Sequence, residues 1–127
     1  MTELAKGTVL FDSVCPVSTP ERLALFSKGT ADPNPLHVDE SFAKRAGFRT
    51  VVQQGPMTTA HFARLLREKV GDRLKVLDVT FTAPVHPGDA LRMTATVEDI
   101  GPQVRISLAA QKQDGTPTAK GYALVDP

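Results

Sequence analysis

Between Met57 and Val125 the hydrophobic pattern changes its period once, from that of a helix to that of strands, and nothing else in the chain narrows the fold as much. Met57, Ala60, Phe62, Ala63, Leu65, Leu66 and Val70 cover a wide arc of a 3.6-residue helix, while His61, Arg64, Arg67 and Glu68 share the remaining face. Gly55-Pro56 opens this helix, because proline at a first helical position gives up an N–H that has no partner there, and Gly71-Asp72 closes it. After it the apolar residues alternate. Leu77, Val79, Phe81 and Ala83 form one set, Leu91, Met93, Ala95 and Val97 a second, and Val104, Ile106, Leu108 and Ala110 a third. Ile100-Gly101-Pro102 and Asp114-Gly115 read as turns between antiparallel neighbours, and Lys120–Val125 supplies a further strand. One long helix and an antiparallel sheet with a single apolar face pack together when the sheet wraps around the helix. The expectation is an α+β protein with one domain over residues 1–127, and the uncovered edge of so small a sheet gives a reason to expect pairing of two copies.

The first half of the chain is built from shorter pieces. Thr8–Phe11 and Val14–Val17 read as an edge strand or extended arm, Pro16 being better suited to an edge than to a sheet interior. A helix follows through Leu23, Ala24, Leu25 and Phe26. Its start is either a Ser18/Glu21 capping box or a Thr19 cap with Pro20 as first helical residue, and Gly29 is placed to end it. Asp39 caps a two-turn helix through Phe42, Ala43 and Ala46, with Gly47 as terminator.

Between these helices lies Thr30-Ala31-Asp32-Pro33-Asn34-Pro35-Leu36-His37. Pro33 and Pro35 each remove a backbone donor and push the preceding residue out of the helical region, so the segment reads as a rigid loop. Such a loop can aim a carboxylate, an amide and an imidazole at one point, as proton transfer to and from a water molecule requires. Asp-Pro and Asn-Pro are also ordinary turn formers, and the residues alone leave both readings open.

The run Asp32-Pro33-Asn34-Pro35-Leu36-His37, led by Phe26 and Ser27 and followed by Phe42-Ala43 and Gly47-Phe48, resembles the signature of the MaoC-like, (R)-specific enoyl-CoA hydratases, or hydratase 2 enzymes. In that family a glycine follows the histidine by eighteen residues at the start of a long helix, and Gly55 stands there. The resemblance extends through Phe81–Asp89 and spans most of the chain from Phe26 to Val97. It departs at Ala31, where the family usually has glycine, and at Gln54, where it commonly has histidine. What the resemblance implies is a hot dog fold, usually dimeric through edge-to-edge sheets. It further implies syn hydration of a trans-2-enoyl thioester to an (R)-3-hydroxyacyl product, or the reverse dehydration. Asp32 and His37 would be the catalytic pair, and the N–H of Gly55 the oxyanion donor. A helix tip suits that last task because its N–H groups are unpaired and carry partial positive charge. Asn34 and Gln54 would be supporting residues. The substrate would be a coenzyme A or acyl carrier protein thioester, with no cofactor and no metal. Arg64, Arg67 and Arg92 are candidates for the phosphates of coenzyme A. A hot dog thioesterase and a weakly active subunit of a heteromeric dehydratase are the rival readings.

Other candidates have simpler explanations. Gln53 reads as a polar residue at a loop end, His61 as solvated on the charged helix face, His86 as structural, and Met57 and Met93 as core filler. Cys15 has no nearby base to make it a nucleophile and no second cysteine to pair with. A net charge of +1 with both signs interspersed gives no footprint for nucleic acid or an anionic membrane. A start at Met1–Gly7 without an apolar run, no stretch of eighteen apolar residues and a lone cysteine fit a cytoplasmic protein.

Overall fold

The computed structural model describes residues 4–16 and 18–127. The start at residues 1–3 and the last position of the Val14–Val17 run lie outside the described residues. The chain forms β1 (Val9–Cys15), α1 (Pro20–Gly29), a 3₁₀ turn (Pro35–His37), α2 (Glu40–Arg45) and α3 (Gly55–Val70). A second 3₁₀ turn (Gly71–Arg73) leads into β2 (Leu74–Phe81), β3 (Leu91–Ile100), β4 (Val104–Lys112) and β5 (Pro117–Val125).

One five-stranded antiparallel sheet runs in the order β1-β3-β4-β5-β2. The alternating patterns of β3 and β4 put Leu91, Met93, Ala95, Val97, Val104, Ile106, Leu108 and Ala110 on one buried face. Against that face lie Phe62, Leu65, Leu66 and Val70 of α3, so the sheet wraps around the helix and closes one core. This is the hot dog arrangement. Truncating a fully buried aromatic such as Phe62 to alanine would cost about 3–5 kcal/mol. A smaller core of Leu23, Ala43 and Val51, joined by Leu36, Phe48 and Met57, binds α1 and α2 to the loops beside them.

The meander covers only β3 to β5. β2 pairs with β5 and not with its sequence neighbour β3, so the 82–90 connection has to cross from one flank of the sheet toward the other. That crossing passes the tip of α3, where the Gln53 N–H donates to the Val85 carbonyl at 2.7 Å. At an edge, the apolar residues of β2 are incompletely covered: Leu77 and Val79 are half-buried, Phe81 is exposed, and Ala83 lies beyond the strand. β2 and β5 also approach closely at Gly121, where a Cβ would collide with the Asp78 carbonyl oxygen.

Helix ends follow local chemistry, and the structure decides between the two starts open for α1. Thr19, not Ser18, caps α1, its hydroxyl accepting from the Arg22 N–H at 3.2 Å. Ser18 is instead turned toward the 86–88 segment, its carbonyl accepting from the Gly88 N–H at 3.0 Å. Gly29 stays helical, and the residue that takes the left-handed conformation is Ala31, at φ 53°. Asp39 caps α2 as expected, accepting from the Phe42 N–H at 3.1 Å.

Candidate functional site

The Asp32–His37 loop is locked by its own side chains before it meets anything else. Asp32 Oδ1 accepts from the Asn34 N–H at 3.0 Å, and Asn34 Oδ1 accepts from the Leu36 N–H at 3.0 Å. These are the side-chain-to-backbone bonds that aspartate and asparagine make in tight turns. Asn34 is therefore a loop brace. The other oxygen of Asp32 is left free to face the ring of His37, with Oδ2 3.4 Å from Nε2.

The far nitrogen of that ring is occupied. Nδ1 lies 2.7 Å from the Val52 carbonyl oxygen, which can only accept, so the proton of Nδ1 points there. A neutral His37 then presents a bare Nε2 toward a carboxylate. Two acceptors this close leave no room for an atom between them, but a water beside the pair can donate an O–H to either one. A carboxylate and an imidazole aimed at one such water are the equipment for general acid–base chemistry. The Val52 segment is itself pinned to the loop, its N–H donating to the Leu36 carbonyl at 3.1 Å.

His37 and Gly55 both line a cavity of about 420 Å³, together with Phe48, Val52, Gln53, Thr58, Phe81, the Ala83–Val85 crossing and Thr118. Its walls are mainly apolar, with the polar groups at a few points, the usual character of a pocket that takes a small organic ligand. Asp32 does not line this cavity and meets it through His37. Gly55 begins α3, and the Phe81 ring stands directly over it: a Cβ at position 55 would lie 2.7 Å from the ring carbon Cε2. Having no Cβ, the glycine lets the ring pack against the helix tip at the cavity wall.

Two glutamines precede Gly55, and both are buried. Gln53 is not the surface residue expected from its sequence. It is only 8% exposed, lines the cavity, and donates from Nε2 to Thr58 Oγ1 at 3.1 Å. Its neighbour turns the other way: Gln54 is 1% exposed and donates from Nε2 to the Leu23 carbonyl and to Ser27 Oγ, both at 2.8 Å. No cue in the local sequence distinguishes an inward glutamine from a surface one.

His86 is structural, as expected. Its Nδ1 lies 2.9 Å from the Val51 carbonyl, and its N–H donates to Asp89 Oδ2 at 2.9 Å. Asp89, for which the sequence analysis proposed no role, is a buried hub that also meets Lys112 at 3.3 Å and Arg49 at 3.4 Å. Burial pushes its carboxyl up, but the His86 N–H, Lys112 and Gln113 outweigh that and hold it below the usual carboxylate range. His61 is half-buried and lines a second cavity of about 270 Å³ with Arg22 and Phe26. Burial, then repulsion from Arg64 and Arg22, pushes its pKa down. Cys15 is buried against Met93, and burial pushes its thiol up, which disfavours the reactive thiolate.

The three arginines considered for phosphate binding do not line the main cavity. Arg64 pairs with Glu68 at 3.1 Å, and Arg92 makes a two-pronged pair with Asp12 at 2.8 and 2.6 Å. Arg67 is exposed on α3. Among the described residues no three histidine, cysteine, aspartate or glutamate side chains cluster as metal ligands, and no helix is long and apolar enough to cross a membrane.

The sequence model described as "MaoC like domain" matches residues 3–116. The peroxisomal hydratase-dehydrogenase-epimerase of Neurospora crassa is 36% identical over 80 residues, 63% of this chain and 9% of that much longer protein. An (R)-specific enoyl-CoA hydratase of Rhodospirillum rubrum is 29% identical over 82 residues, 62% of this chain and 57% of that one. In structure, the (R)-hydratase from A. caviae involved in PHA biosynthesis superposes with a TM-score of 0.87 over 99% of this chain and 98% of that one. At 23% identity that likeness concerns the fold.

Proposed function

The chain belongs to the MaoC-like domain family, and from that premise we propose that it adds water to a trans-2-enoyl thioester, or removes it from the 3-hydroxyacyl thioester. The observation that carries the reading is the Asp32–His37 pair, 3.4 Å apart and braced from behind, opening through His37 onto the cavity that Gly55 also lines. Relatives named as enoyl-CoA hydratases support the substrate class.

The reaction needs a base for water, an acid for C2 and a donor for the thioester oxygen. One water binds beside Asp32 Oδ2 and His37 Nε2, donating an O–H to the pair. Its oxygen adds to C3 of the enoyl group while the pair takes one of its protons, and electrons shift onto the thioester oxygen as an enolate. The N–H of Gly55, at the positive end of α3, holds that oxygen. The enolate collapses and C2 receives a proton from the same pair, which ends as it began. Water and proton arrive on one face, giving an (R)-3-hydroxyacyl thioester. No electron leaves or enters, so the chemistry asks for protons and a water only.

The thioester is carried by coenzyme A or acyl carrier protein. The working unit is one domain over residues 1–127 paired with a second copy through exposed sheet edges, and its setting is the cytoplasm. Val9 and Val14 on β1, and Val76 and Phe81 on β2, leave both flanks of the sheet with exposed apolar side chains.

The test offers trans-2-enoyl-CoAs of short, medium and long chain to the purified protein and follows loss of conjugation and the configuration of the product. Loss of conjugation with an (R)-alcohol is the expected result. Release of free thiol without loss of conjugation would make the protein a thioesterase and overturn the reading.

A further inference from the structure

Gln54 is the N-cap residue of α3, yet its side chain makes no cap bond. It spends its amide elsewhere. Both N–H groups of Nε2 are used on α1, one on the Leu23 carbonyl and one on Ser27 Oγ, each at 2.8 Å. The backbone carbonyl of the same Ser27 accepts the N–H of Asp32 at 2.9 Å. From Asp32 the path continues through the carboxylate to His37, and from His37 Nδ1 to the carbonyl of Val52, two residues before Gln54. The bonds and the chain close a ring. It runs Gln54, Ser27, Asp32, His37, Val52 and back to Gln54, and Gly55 is the next residue.

The amide is placed for its donors, both of which reach α1, while among the described residues its Oε1 is buried without a hydrogen-bond partner. An apolar side chain of the same length would untie α3 from α1.

We infer that Gln54 is a positioning residue for the reaction at Asp32, His37 and Gly55, fixing the spacing between the acid–base pair and the helix-tip N–H by anchoring α3 to the Ser27–Asp32 turn. It touches no substrate, since it is sealed from the cavity. Its effect is on alignment. The inference rests on the hydratase reading above. A displacement of about 1 Å between reacting groups can cost about 10²-fold in rate.

The experiment compares wild type, Gln54→Met and Gln54→His. Methionine keeps length and removes both donors and the orphaned acceptor, while histidine restores a donor. With crotonyl-CoA, Gln54→Met is expected to lose about 10²-fold in kcat with KM within about threefold, and Gln54→His to recover most of the loss. Crystal structures of wild type and Gln54→Met provide the arm that does not depend on turnover. The expected finding is a changed distance from the Asp32 carboxylate to the Gly55 nitrogen with the rest of the sheet superposed. Retained kcat in Gln54→Met, or an unmoved Asp32 in its structure, overturns the inference. A wild type that turns over no enoyl thioester sinks the hydratase reading instead, and the structural comparison still decides whether Gln54 sets the spacing.

Discussion

His37 faces Asp32 through Nε2 at 3.4 Å because its other nitrogen is held by the Val52 carbonyl at 2.7 Å. The ring therefore cannot turn away from the carboxylate without breaking the shorter contact. A loop rigidified by two prolines supplies Asp32, and a separate segment fixes the orientation of its partner. For the proposed reaction this pre-organisation matters because the alignment is made during folding and not during reaction.

The helix tip offers an independent test. Gly55→Ala would drive a Cβ toward the Phe81 ring, which is 48% exposed at the end of an edge strand and has room to swing aside. The melting temperature is therefore expected to fall by only a few degrees, while hydration of crotonyl-CoA falls by about 10-fold or more as the ring and the new methyl crowd the proposed oxyanion donor, toward the roughly 10²-fold scale of losing one such donor. Thermal melts beside kinetics check this. A large loss of stability with normal kcat in the remaining folded protein would contradict it.

Asp89 gives a pH dependence whose sign is fixed. Its carboxyl titrates below the usual range in the folded protein, so its contribution to stability is present above the unfolded pKa of about 3.9 and disappears as pH falls through the lower folded value. Asp89→Asn should cost about 1–3 kcal/mol at pH 7, leaving Lys112 without its partner. The difference in melting temperature between wild type and variant should shrink as pH falls below about 4. Melting curves from pH 7 to pH 3 would show it, and a difference independent of pH would refute it.

Ala31 sits at φ 53°, where an alanine pays for its Cβ and a glycine does not. Ala31→Gly relieves a strain of about 1–2 kcal/mol and adds some chain entropy to the unfolded state, so a net gain of about 0.5–1 kcal/mol is expected. A rise of a few degrees in melting temperature, with unchanged kcat, is the predicted outcome. A fall would mean that the methyl group of Ala31 contributes more than its backbone strain costs.

The sequence made α3 and the β3–β4–β5 meander legible because each carries its own period and its own turn residues, and period alone dictates which face is buried. It made the Asp32–His37 loop legible because proline acts on its nearest neighbours. What it hid depends on contacts distant in the chain. The position of β2 beside β5 follows from pairing Leu74–Phe81 with residues 38 to 51 positions later, and so does the crossing that brings Ala83–Val85 to the cavity. The burial of Gln53 and Gln54 follows from that crossing and from α1 packing against the start of α3. Gly29 looked like the helix terminator because it is the only glycine nearby. The chain instead continues one turn of bonds and places Ala31 in the left-handed position, where the Thr30 and Ala31 N–H groups still find Phe26 and Lys28 carbonyls.

The most direct test of the central claim is the rate of crotonyl-CoA hydration by Asp32→Asn, measured beside wild type on protein shown by circular dichroism to be equally folded. Asparagine keeps the shape and the turn but cannot take a proton from water, so kcat should fall on the order of 10²–10⁴-fold. A variant that hydrates at close to the wild-type rate would show that the Asp32–His37 pair does not move the proton.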